Sequence, residues 1–232
     1  MSTSGGRAPD PRPARTKAAL FAAARNLCAA GDKVTVNDLV RLARVSRSAF
    51  YTHYEDIEDL LGEMLDEMFE GQEARVAALA AAGRSAQEIV HATAASMAAY
   101  ACVHQAFLRG SLNWKVRHRA YVGVVQTCAR LHEEALRQMG KDLPADVDIA
   151  RTAQFFAGGT MQVIVDWFVL AGQDVHGGAE ADENALVTSL LRVLPSWYTG
   201  LAPSDPIPAT LRTVGMPSPA ADGTSRPVAL GV

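Results

Sequence analysis

Proline placement constrains this chain more than any other feature. Of its 11 prolines, three fall in residues 1–13 and six in 201–232, leaving only Pro144 and Pro195 between. Proline removes a helical hydrogen bond and clashes with the preceding turn. The middle of the chain is therefore free to form long helices, and the two ends are not. The intervening sequence is rich in Ala and Leu, and aromatics are only 6%, which favours helix again. With 49% apolar residues over 232 positions, the chain can bury a substantial core in one large domain or two small ones.

Several classes fall away. No apolar stretch approaches the roughly 20 residues that span a bilayer, and no basic-then-apolar leader opens the chain. A cytoplasmic protein with no membrane partner is expected. Cys28, Cys102 and Cys128 are odd in number and dispersed, so they read as thiols in a reducing compartment rather than a disulfide framework or a zinc site. No H-E-x-x-H, P-loop, G-x-S-x-G or C-x-x-C occurs, and the six histidines are scattered. No enzyme, metal or cofactor is expected. The net charge of −3 conceals an asymmetry. Residues 1–54 carry nine Lys/Arg against three acids, which gives +6, and residues 55–232 carry 13 against 22, which gives −9. A basic head on an acidic body points to a polyanion partner for the head alone.

The expected organisation is all-α, with about nine helices. Residues 1–13 read as a flexible arm and 201–232 as a disordered tail. A first helix covers about 14–30 and ends at Gly31. Thr35 opens a second, with Asp38 at the capping-box position and Val36, Leu39, Val40 and Ala43 on one stripe. A third runs from about Arg47 to Tyr54. Asp56 caps a fourth, bearing Ile57, Leu60, Leu61, Met64, Leu65 and Met68. Further helices span about 85–102, with Ser85 and Glu88 as a capping box, then 104–111, 115–139, 148–171 and 182–194.

The stretch 35–54, TVNDLVRLARVSRSAFYTHY, holds two short helices joined by a three- to four-residue turn, the layout of a helix-turn-helix. A helix of about 8 residues is about 12 Å long, a length suited to the major groove of B-DNA. The outward positions of its second helix are Ser46, Arg47, Ser48, Tyr51, Thr52 and His53; each can donate a hydrogen bond and none is acidic. Arg47 can pair bidentately with a guanine edge. Thr35, Tyr51 and His53 suit phosphate oxygens, which position a domain without reading sequence.

Residues 14–65 resemble the N-terminal domain of the TetR family of bacterial transcriptional regulators, carried by TVNDLVRLARVSRSAFYTHYEDIEDLL. The resemblance implies a homodimer. Each subunit has a helix-turn-helix head (14–61) and a larger helical domain (62–200) that binds a small-molecule effector and dimerises. Effector binding moves the fourth helix and releases a pseudo-palindromic double-stranded DNA operator. Thr35, Arg47, Ser48, Tyr51 and His53 match family DNA-contact positions, and Ser46 and Thr52 share their face. Two positions depart from the pattern. Arg44 stands where the family often has Gly, in either a strained or an ordinary turn. Ile57 replaces a frequent basic residue, leaving that phosphate contact absent or supplied by Arg44 or the arm.

In the acidic body, the segment 148–171 is apolar nearly all round and carries Gly158-Gly159-Thr160 at its middle. With the last helix it resembles the family's dimer face, for which Phe156, Gly159, Val163, Trp167, Leu190 and Leu194 are the candidates. Candidate pocket residues for a small, largely apolar effector are Met68, Met97, Tyr100, His104, Phe107, Trp114, Tyr121 and Met161, because Met adapts and aromatics bury large area. Asp166 is unusual in its apolar run: a satisfied carboxylate, a dimer contact or a ligand anchor. The basic run Lys115–Arg119 reads as a solvated loop and helix start. The alternatives are an all-α small-molecule-binding protein whose head no longer reads DNA, or a regulator of this family without an effector.

Overall fold

The computed structural model describes residues 12–31, 34–69, 71–112, 118–171, 183–202 and 205. Residues 1–11 of the expected arm, Trp114 and most of the tail lie outside that set, as do the side chains of Met68, His118 and Arg119; Arg12 and Pro13, expected in the arm, instead open the first helix. Among the described residues there are eleven α-helices and no strand: α1 (Arg12–Ala29), α2 (Val36–Ala43), α3 (Arg47–His53), α4 (Ile57–Asp66), α5 (Gln72–Ala81), α6 (Ala86–Val103), α7 (Gln105–Ser111), α8 (His118–Met139), α9 (Ile149–Ala171), α10 (Glu183–Arg192) and α11 (Ser196–Thr199).

The count exceeds the expected nine for two local reasons. The expected fourth helix ends at Asp66, short of Met68. The chain tightens into a 3-10 turn over Glu67–Phe69, and Gly71 turns left-handed at φ 74° before α5 begins. A left-handed residue ends a helix, and glycine enters that region without a Cβ penalty. Pro195 stops α10 as expected, but it also opens α11, a position where its missing amide costs nothing.

α1, α2 and α3 close around Leu20, Ala24, Leu39 and Phe50, all buried. The helix starts are held by side chains: Thr35, Ser46, Asp56 and Ser85 each accept a hydrogen bond from the backbone amide three residues on. Such caps are typically worth about 1 kcal/mol each. Ser85 and Glu88 form the reciprocal capping box. At Thr35 the acid instead takes the hydroxyl, with Thr35 Oγ1 donating to Asp38 Oδ2 at 2.6 Å.

The body packs α8 lengthwise against α9, and α6 against α10 and α11. Two histidines, His91 buried and His132 half-buried, secure the C-terminal turn. His91 Nε2 donates to the Thr199 carbonyl at 2.7 Å, and His132 Nδ1 lies 2.9 Å from the Tyr198 hydroxyl. Cys28 and Cys128 are buried thiols and Cys102 is half-buried. Among the described residues no helix is long and apolar enough to cross a membrane.

Candidate nucleic-acid interface and ligand cavity

Seven of the eight candidate DNA residues are exposed on one side of α2 and α3: Thr35, Arg44, Ser46, Arg47, Ser48, Tyr51 and Thr52; His53 is half-buried. Arg47 stands at the first position of α3 and folds over the Tyr51 ring, its guanidinium carbon 5.8 Å from the centroid. It donates to Asn37 Oδ1 at 3.2 Å and to the Tyr51 hydroxyl at 3.4 Å. Asn37, on the outward face of α2, is the residue that sequence reasoning missed. Its only signal was an amide side chain on the polar side of the α2 stripe. Ser46 Oγ is 2.8 Å from Ser48 Oγ and caps α3, while Thr52 donates back to the Ser48 carbonyl.

Arg44 adopts φ 56°, ψ 39°, the one left-handed non-glycine among the described residues. Its amide meets the Arg41 and Val40 carbonyls, and the Val45 amide closes onto Val40 O at 3.0 Å. The glycine-like turn is therefore retained with an arginine in it. Asp38 sits below the usual carboxylate range because Thr35 and then Arg41 hydrogen-bond to it. Ile57 is half-buried against the core and offers a phosphate nothing.

The head is tied to α4 by a small polar cluster. Tyr54, buried at the end of α3, donates to Glu63 Oε2 at 2.7 Å. Lys17 of α1 pairs with the other oxygen of Glu63. Burial pushes the Glu63 carboxyl up, but the hydrogen bonds from Lys17 and Tyr54 outweigh it and hold it below its ordinary value. Burial, then the Glu63 bond, raises the Tyr54 phenol. A second pair joins Arg25 to Glu67. At the other end of α4, Glu58 accepts from the Ala120 amide of α8 at 3.3 Å.

Behind α4 lies a cavity of about 440 Å³, within the range typical of small-molecule sites. Its walls come from four helices: Leu61 and Leu65 of α4, Leu108 and Ser111 of α7 with Leu112 just after it, Tyr121 and Val124 of α8, and Met161, Gln162, Val165 and Phe168 of α9. Of the candidate pocket residues, Tyr121 and Met161 line it. Met97 borders a separate void of about 30 Å³ beside His132 and Tyr198. Phe107 is core. Tyr100 packs against His104, ring centres 4.3 Å apart and planes tilted by 47°, and donates to the Met64 carbonyl at 3.3 Å. Burial, with a smaller contribution from Arg25, lowers the His104 pKa. The Trp114 candidate and the Met68 side chain lie outside the described residues. Among the candidate dimer residues, Phe156, Leu190 and Leu194 are buried within the subunit, Val163 and Trp167 are half-buried, and Gly159 is exposed. Asp166 is exposed and accepts from Gln162 at 2.8 Å.

The fold recurs in solved structures. One is FadR of Thermus thermophilus, a TetR-family transcriptional repressor in complex with lauroyl-CoA. It is 21% identical, matched over 83% of this chain and 98% of its own, with a TM-score of 0.56. This chain has the TetR-regulator fold. The transcriptional regulator FadR of Bacillus subtilis, in complex with stearoyl-CoA, shares that fold at 14% identity, over 75% of this chain and 96% of its own, with a TM-score of 0.55. No family model matches the sequence, and no curated protein does. Within this fold the exposed Arg47 face lies on α2 and α3, and the Glu63 cluster joins α1 and the end of α3 to α4.

Proposed function

We propose that this chain is a ligand-responsive transcriptional regulator that binds a pseudo-palindromic DNA operator as a homodimer and leaves it when a small apolar effector fills the cavity. One observation carries the reading: α4 is fixed to the DNA-facing head through Tyr54, Glu63 and Lys17 on one side and contributes Leu61 and Leu65 to the cavity wall on the other. An occupant that displaces those leucines displaces the head. A ligand shifts an equilibrium only through differential affinity for its two states, and a wall that belongs to the moving element supplies that difference directly.

The cavity chemistry favours a flexible alkyl or acyl chain. Leu, Val, Ile and Met dominate its walls, and these side chains repack around a flexible chain more readily than around a rigid polycycle. The Tyr121 hydroxyl, Ser111 and Gln162 offer neutral polar contacts, although the Ser111 hydroxyl already donates to the Leu108 carbonyl. Lauroyl-CoA and stearoyl-CoA in the two solved structures support the same class. On this reading the protein regulates rather than catalyses, and works in the cytoplasm.

The test is fluorescence anisotropy on the duplex flanking its own gene, at two salt concentrations, against a random duplex. Selective binding that weakens steeply with salt is expected, and lauroyl-CoA reverses it. Arg47→Ala costs about ten- to hundredfold in selective affinity while sedimentation still shows a dimer. Binding no tighter than to random DNA, for this duplex and for the best duplexes selected from a random library, overturns the regulator reading.

A further inference from the structure

An exposed arginine ordinarily keeps its side-chain freedom in water, because a surface contact gains little against the entropy of holding a long side chain still. Arg47 is exposed, yet three contacts hold it. Its Nη1 donates to Asn37 Oδ1 at 3.2 Å, its Nη2 donates to the Tyr51 hydroxyl at 3.4 Å, and its guanidinium carbon lies 5.8 Å from the Tyr51 ring centre. The Asn37 bond is the shorter of the two, and it crosses from α2 to α3. Asn37 and Tyr51 are themselves exposed, so the core does not depend on this clamp.

The acceptor on α2 is a neutral amide. A carboxylate would hold a guanidinium more tightly, since a charge-assisted hydrogen bond is roughly twice as strong as a neutral one, but it would also cancel the charge. The nearest acid in sequence, Asp38, is engaged elsewhere: Thr35 donates to its Oδ2 at 2.6 Å and Arg41 to its Oδ1 at 3.1 Å. Arg47 therefore keeps its positive charge while its direction is set. A guanidinium carries five N–H donors. Asn37 and Tyr51 take two of them, one on each terminal nitrogen, and among the described residues nothing takes the other three. Two parallel donors are what O6 and N7 of a guanine accept in the major groove.

We propose that Asn37 is a positioning residue for DNA readout, fixing the Arg47 guanidinium in the free protein in the direction that reads one guanine in each half of the operator. This rests on the regulator reading above and adds the base that the head recognises and the residue through which it does so. Binding then removes no further side-chain freedom at Arg47, and the gain is confined to duplexes that offer a guanine at that position. An unclamped guanidinium reaches neighbouring bases and phosphates as well, so it binds less tightly and discriminates less.

The test is a double-mutant cycle on the full chain. Anisotropy is read on the tightest duplex that the wild type selects from a random library, and on the set in which each base pair of that duplex is replaced in turn. Asn37→Ala is expected to bind the selected duplex about three- to tenfold more weakly. It is also expected to lose discrimination at one G·C pair of each half-site, the same pair at which Arg47→Ala loses it. In the Arg47→Ala background the substitution is expected to change nothing, because it acts through Arg47. Its urea midpoint is expected not to fall, since both partners are exposed. An equal loss in both backgrounds means that Asn37 meets the DNA itself and overturns the positioning role, as does unchanged affinity or a loss spread evenly over all base pairs. One measurement needs no DNA: NMR relaxation of the Arg47 Nε–H is expected to show an ordered group in the wild type and a mobile one in Asn37→Ala. Equal mobility overturns the clamp. If the wild type selects no duplex, the regulator reading fails by itself, and the Nε relaxation alone decides whether Asn37 holds Arg47.

Discussion

Arg44 shows how a single residue can trade stability for a contact. A residue with a Cβ in the left-handed region costs about 1 kcal/mol, and Arg44 stands there at the end of α2. Its side chain is exposed, as are those of Arg47, Ser48 and Tyr51 just after it. A cation there can meet a phosphate, which offers a reason to keep a strained arginine where glycine would be easier. Arg44→Gly is therefore expected to raise unfolding stability by about 1 kcal/mol in urea titration. The same variant should bind operator more weakly, with a salt dependence shallower by about one counterion. An unchanged salt slope would remove Arg44 from the interface. Arg47 differs, being held by Asn37 and Tyr51 before any DNA arrives. Tyr51→Phe removes one acceptor of the Arg47 guanidinium along with its own phosphate donor, and a loss of affinity alike for operator and random duplex is expected.

At the scale of elements, the helix starts were legible because capping chemistry is local. Thr35, Ser46, Asp56 and Ser85 each announce a helix, and each caps one. The break after α4 was not legible, because Met68 continues the apolar spacing and Gly71 alone carries the signal. The cavity was only partly legible. A leucine in its wall and a leucine in the core have the same sequence pattern, and which helices leave a gap is decided by how they cross. That is why Tyr121 and Met161 reach the cavity while Met97 and Phe107 fill core. Gly110 was invisible for the same reason: its role lies in the backbone of α1, 82 positions earlier at Cys28. It fixes α7, a cavity wall, against the end of α1, part of the head for which DNA binding is proposed; a Cβ added at Gly110 would run into the Cys28 carbonyl. Gly110→Ala must push those helices apart, and overpacking of this kind typically costs 1–3 kcal/mol. A lower urea midpoint is expected, with lauroyl-CoA binding retained and operator affinity reduced. If operator affinity survives intact, the α1–α7 crossing does not set the geometry of the head.

For the whole molecule, the buried end of the body sets a pH limit. His132 joins α8 to Tyr198 of α11, lies 3.4 Å from Thr160 of α9, and packs edge-on to Phe156. Burial lowers its pKa to about 4, from an ordinary value of 6.5. A depressed histidine pKa means that the unfolded chain binds the proton first. The native state is therefore unpenalised above about pH 6.5, loses stability as pH falls from there towards 4, and loses no more through this group below that. Linkage over that window amounts to about 3 kcal/mol, a large fraction of the 5–15 kcal/mol typical of a folded domain. The sign is the same for Glu63, whose pKa also lies below its ordinary value, but its window is more acidic: its contribution is present at neutral pH and disappears only in stronger acid. The two are separated by His132→Gln, which keeps a polar side chain but cannot titrate. In urea titrations at pH 7.5 and 4.5, the wild type is expected to be more stable than His132→Gln at the higher pH. That advantage should shrink by 2–3 kcal/mol at the lower one. An advantage that stays constant between the two would mean that His132 is not the group that titrates.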